Sequence, residues 1–134
     1  MEFAYKIYPQ EMLITVRVAG SYTVDELWGE LEQMGRDELY NRNFQGVFDI
    51  TESAAEWDVD NVQEYVVKQY EAPRFSLGRW AVLAESGRQT AVAMIAHDME
   101  KTLHETKVFC TEKAASDWLG AEVSEHLSEL RHLH

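Results

Sequence analysis

The spacing of apolar residues along this chain changes several times, and each change marks an element. Phe3-Ala4-Tyr5-Lys6-Ile7-Tyr8 alternates as a half-buried strand does. Pro9-Gln10-Glu11 is a turn, and Met12-Leu13-Ile14-Thr15-Val16-Arg17-Val18 is a second β-rich run. Two such runs across a short turn predict an antiparallel hairpin whose first strand is the sheet edge. Thr23-Val24-Asp25-Glu26 is a capping box, in which Thr23 and Glu26 each satisfy the other's backbone amide. Val24, Leu27, Trp28, Leu31 and Met34 then recur at helical spacing and predict a helix to about Leu39. Gly46-Val47-Phe48-Asp49-Ile50 is short and apolar, between turn-prone Asn41-Arg42-Asn43 and polar Thr51-Glu52-Ser53. Such a run predicts a strand buried on both faces, the middle strand of an α/β layer.

The rest of the chain alternates in the same way. Asp58 is an N-cap candidate for a helix with Val59, Val62, Val66 and Tyr70 on one stripe, Tyr65 beside it and Pro73 as its stop. Gly78 leads into a fourth strand, Arg79 to Ala84. Ser86-Gly87-Arg88-Gln89 is a second capping box, opening a helix with apolar Val92, Ile95, Met99 and Leu103 and with small Ala91 and Ala96 for close packing. Lys107 to Cys110 is a fifth strand, with Cys110 as a buried small hydrophobe. Thr111 caps a short helix through Trp118-Leu119, closed by Gly120. Val123, Leu127 and Leu130 suggest one more helix in a tail, 121–134, the one segment expected to be loose. The order β-β-α-β-α-β-α-β-α predicts sequential right-handed crossovers and a mixed, mainly parallel five-stranded sheet. Crossovers of one hand gather helices on one face, so the tail helix or a second subunit must cover the other. A homodimer is one partner this layout admits.

Composition narrows the function. A chain of 134 residues is long enough for one domain with a proper core. Its net charge of -12 argues against nucleic acid, whose phosphates need clustered Lys and Arg. The excess lies in residues 1–72, with 15 acidic residues against 5 basic ones, and reads first as a solvated, self-repelling surface. A single cysteine excludes an intramolecular disulfide. The opening residues carry no apolar run of the signal-peptide kind, and no stretch reaches the roughly 20 apolar residues of a membrane span. A cytoplasmic location is the expectation from these features.

The opening hairpin, Val47-Phe48-Asp49-Ile50 as third strand, Arg79-Trp80-Ala81-Val82-Leu83, and the ending Val108 to Leu119 with its strand and Trp-Leu helix together resemble the SpoIIAA-like fold. That fold is shared by anti-sigma-factor antagonist (STAS) domains and SEC14-like lipid-transfer domains, and the likeness is to small bacterial STAS/SEC14-like proteins. It spans residues 1–120 and is a likeness of layout, so it bears on fold more than on function. In STAS domains a Ser or Thr at the start of the helix after the third strand is phosphorylated. Here Asp58 falls near that position, no Gly accompanies it, and Thr51 and Ser53 lie earlier in the loop. The resemblance therefore implies a non-enzymatic interaction or regulatory module without a working phosphoacceptor serine. Its SEC14-like side implies a carrier of a small apolar, lipid-type ligand instead.

The candidate surface is the acidic exit of the third strand. Asp49, Thr51, Glu52, Ser53, Trp57 and Asp58 are the predicted partner-binding residues, with Trp57 as an aromatic anchor. The carboxylates there lack the spacing and the central glycine of an EF-hand, and acidic residues at a helix start complement its dipole, so no metal is expected. His97 and His104 lie seven apart and read as a solvated face. Arg88 and the amides of Ser86-Gly87 stand at a helix start where an anion could bind, although a plain cap accounts for them. No Gly-x-Ser-x-Gly elbow, P-loop or dinucleotide fingerprint occurs, so no catalytic residue and no cofactor is expected.

Overall fold

The computed structural model describes residues 1–72, 76–100 and 105–132. Pro73, Leu103, His104 and His134 from the sequence reading lie outside them. A hairpin opens the chain: β1 (Glu2–Tyr8), a 3-10 turn (Pro9–Glu11) and β2 (Leu13–Gly20). Met12, in left-handed backbone at φ 52, makes the corner. The chain continues through α1 (Val24–Gly35), β3 (Gln45–Ser53), α2 (Val59–Glu71), β4 (Trp80–Leu83), α3 (Gly87–Glu100) and β5 (Thr106–Phe109), then α4 (Glu112–Leu119) and α5 (Ser124–Leu130). The strands lie in sequence order across the sheet, with β1 and β2 antiparallel and every later pair parallel. This is the mixed, mainly parallel sheet that the alternation predicts.

The pleat sorts side chains to two cores. Ile14, Val16 and Val18 of β2 meet Leu27, Trp28, Leu31 and Met34 of α1 on one face. Leu13, Val47, Ala81 and Leu83 meet Ala115 and Leu119 of α4 and Leu127 and Leu130 of α5 on the other. The second face is thus covered by the chain's own C-terminal helices, and its burial needs no second copy. Nor is α5 a loose end, because Val123, Leu127 and Leu130 are fully buried. Close approach is built in at Gly46, where a Cβ would sit 2.6 Å from the indole of Trp80 on the neighbouring strand.

Capping behaves as the sequence suggests. Thr23 and Glu26 form the reciprocal box of α1, Asp58 caps α2, Ser86 and Gln89 exchange bonds at α3, and Thr111 caps α4. Several expectations are corrected. Helix α1 stops at Gly35, short of Leu39, because the Asp37 carboxylate accepts the Leu39 amide at 2.9 Å and the Tyr5 hydroxyl at 2.7 Å. A side chain bonding its own backbone in this way competes with the next helical turn. On α2, Val62 and Val66 are buried, but Val59 and Tyr70 are half exposed, so the buried stripe is narrower than the pattern implied. Cys110 falls one residue beyond β5 and is exposed. Ala91 faces solvent and does not tighten α3 against its neighbours.

If α5 is part of the core, Leu127→Ala should lower unfolding stability by about 2–5 kcal/mol, the range for deleting a buried leucine side chain. Urea denaturation measures this directly. A change within a few tenths would show that α5 is dispensable.

Candidate functional site

Strands β3, β4 and β5 each turn two side chains toward α2 and α3: Phe48 and Ile50, Trp80 and Val82, Thr106 and Val108. These residues line a cavity of about 240 Å³ that opens to solvent at one side. Its roof is Val62, Tyr65 and Gln69 of α2 with Val92, Ala93 and Ala96 of α3. The β3–α2 loop, Ser53 to Trp57, forms one end, and Arg88 and Gln89 of the first turn of α3 another. The wall is largely apolar, and Glu56 and Arg88 are the two charged residues in it among the described residues. Phe48 and Ile50 are accordingly only half buried, where the sequence predicted burial on both faces. Alanines at 93 and 96 are the reason that space remains. Opposite the sheet they present methyl groups where larger side chains would close the gap.

A hydrogen-bonded frame holds the loop end. The Tyr22 hydroxyl and Ser53 Oγ lie 2.7 Å apart, and the Trp57 indole N–H donates to the Tyr22 carbonyl at 3.1 Å. The Trp57 ring stands edge-on to Tyr22 at 5.7 Å and tilted to Tyr65 at 5.6 Å, both geometries that aromatic pairs favour. The Gln89 side-chain amide donates to the carbonyls of Thr51 and Ser53 at 3.0 and 3.1 Å, while its oxygen accepts the amides of Glu85 and Ser86. One side chain therefore caps α3 and pins the exit of β3. Burial raises the Tyr22 pKa, against a smaller lowering from the Ser53 bond.

The predicted residues divide among three environments. Asp49 is fully buried on the α4–α5 face, where it accepts from Arg131 at 3.0 Å and from the Thr51 hydroxyl at 2.7 Å. Arg131 also reaches Glu112, and Glu52 pairs with the buried Arg17 at 2.8 Å. Asp49, Thr51 and Glu52 are thus engaged in ion pairs and bonds beside the second core, away from the cavity. Ser53 and Trp57 line the cavity. Asp58 is exposed, and its carboxylate caps α2 by accepting the Asn61 amide at 2.9 Å. Trp57 is half buried, with its ring in the cavity wall. His97, expected on a solvated face, instead pairs its Nδ1 with the buried Thr106 hydroxyl at 2.9 Å. Among the described residues, no three His, Cys, Asp or Glu side chains gather as metal ligands.

The sequence reading missed Tyr22 and the bridging role of Gln89, whose partners are 31 and 36 or more residues away. The one local signal was the capping box Ser86-Gly87-Arg88-Gln89, which places Gln89 at the start of α3 but says nothing of its distant partners.

The molecule is an α/β protein with a SpoIIAA-like fold. It is similar to the crystal structure of an uncharacterized protein of the DUF3478 family from Shewanella loihica, described as having that fold, with a TM-score of 0.58 and 18% identity. The match covers 87% of this chain and 93% of that one. No family model and no curated protein matches the sequence. Among the described residues, no helix is long and apolar enough to cross a membrane.

The raised pKa of the half-buried Tyr22 predicts a stability that depends on alkaline pH. Its folded pKa lies above the ordinary 10.0, so the unfolded chain releases the phenolic proton first. Its contribution is intact below pH 10.0 and is lost as the pH rises through the folded value. Tyr22→Phe should therefore lose less stability than the parent between neutral pH and pH above 10.0. Denaturation at the two pH values reads this, and parallel losses would exclude Tyr22 as a source.

Proposed function

We propose that this protein is a non-enzymatic binding module that holds a small apolar ligand between its sheet and helices α2 and α3. The carrying observation is the cavity of about 240 Å³ with its largely apolar wall. At about 24 cal/mol per Å³, a closed empty void of that size would cost on the order of 6 kcal/mol. That is comparable with the whole net stability of a domain, about 5–15 kcal/mol. The open side reduces the cost, and a ligand that displaces poorly held water reduces it further. The volume falls below the usual range for ligand sites, which starts at about 300 Å³. It suits a small or slender molecule rather than a large cofactor. The SEC14-like side of the sequence resemblance points the same way.

The protein-partner reading keeps one observation in its favour. The outer side of α2 exposes Val59, Val67 and Tyr70 just beyond Asp58. With Asp58 serving as the cap near the position where STAS domains carry a phosphoacceptor, such a surface would act without a phosphorylation switch. A second copy of the chain is the partner that can be tested directly. Val67→Glu should abolish any self-association seen by sedimentation, and self-association that survives it would place the contact elsewhere.

The ligand reading predicts that a neutral fluorescent probe such as N-phenyl-naphthylamine binds saturably. Ala96→Phe, which fills the space beneath α3, should weaken it by about tenfold or more. Thermal unfolding of the variant would establish that it is folded. Binding unaffected by Ala96→Phe would rule out this cavity as the site.

A further inference from the structure

We propose that the ligand is a single-chain amphiphile with a monoanionic head, such as a medium-chain carboxylate, and that Arg88 holds the head at the cavity mouth. This rests on the cavity being the binding site and adds the chemistry of what enters it.

Three observations carry it. The first is an arginine at the cavity with no ion pair among the described residues. Among the described residues Arg17, Arg36, Arg79 and Arg131 each stand within ion-pair distance of a carboxylate. In a chain with 24 acidic residues against 12 basic ones, a surface arginine has many carboxylates to meet. Arg42 and Arg88 meet none among the described residues, and of the two Arg88 alone borders the apolar cavity. Its guanidinium fork matches a carboxylate with two parallel N–H bonds.

The second is direction. Arg88, Val92 and Ala96 follow one another at four-residue steps, so they form one stripe along α3, and all three border the cavity. The stripe is charged at the start of the helix and apolar beyond it. Eight residues at a rise of 1.5 Å span about 12 Å, the scale of a medium acyl chain. Phe48, Ile50, Val82 and Val108 of the sheet lie across from it.

The third is the limit on size and charge. A volume of about 240 Å³ suits one slender chain better than the two tails of a membrane phospholipid. Glu56, the other charged residue of the wall, also borders a surface pocket that holds Asp25 and Glu64. With that acidic neighbourhood and a net charge of -12, a doubly charged head is disfavoured and a single charge is the better match.

The test uses the full chain and displacement of N-phenyl-naphthylamine by decanoate and by decanol, which share a tail and differ in the head. Decanoate should displace the probe, and Arg88→Gln should weaken decanoate by about tenfold while leaving probe and decanol within about twofold. Arg88→Glu should reverse the preference, weakening decanoate further and admitting decylamine. Arg88 is exposed, so both variants should fold, and thermal unfolding verifies it. If Arg88→Gln changes neither ligand, or changes both equally, the head assignment is wrong while the cavity reading stands. If the probe does not bind the parent, or Ala96→Phe leaves all three ligands unchanged, the cavity reading itself fails and takes this proposal with it.

Discussion

The pleat of β3 governs the rest of the molecule. Successive side chains of a strand point to opposite faces, and in a parallel sheet both faces must be covered by connections that return over it. Val47 and Asp49 go to one face and are sealed beneath α4 and α5. Phe48 and Ile50 go to the other, where α2 and α3 arch over without closing the space. The same strand thus has a finished core on one side and a cavity on the other. The asymmetry comes from the covering helices: Leu119, Leu127 and Leu130 fill their side, whereas Ala93 and Ala96 leave theirs open.

The packed side accounts for the acidic residues at the strand exit. Asp49 is buried, and a buried carboxylate persists only when paired and hydrogen-bonded. Arg131 supplies the pair from just past α5, and Thr51 adds a hydroxyl and an amide. The last turn of the described chain is thereby tied to the middle strand, over 82 residues of sequence. What reads in the sequence as an acidic docking loop is in part an internal ion-pair arrangement, with Arg17 and Glu52 as its second half.

The open side concentrates the features that packing leaves unexplained. Half-buried aromatics, small residues opposite the sheet, and an arginine with no ion pair among the described residues surround one space. The side chains that frame it, Tyr22, Ser53, Trp57 and Gln89, are already committed to bonds with one another or with backbone. They shape the site and hold its loop. The space is thus bounded by a preformed apolar surface with a charge at one end.

The residues themselves determined the order of elements, the hairpin at the sheet edge, the capping boxes and the helix stop at Gly120, because each rests on contacts within a few positions of the chain. A turn, a cap or a periodic stripe is local chemistry and can be read without knowing what packs against it. The SpoIIAA-like fold followed from that order. Only the tertiary structure decided that Asp49 and Ser53, four residues apart, serve opposite faces, that the Trp57 ring stands half buried in the cavity wall, and that Ala93 and Ala96 line that cavity. Those outcomes depend on distances between elements far apart in sequence. An alanine opposite a sheet has the same local signature whether the helix moves in to meet it or is held away by larger neighbours.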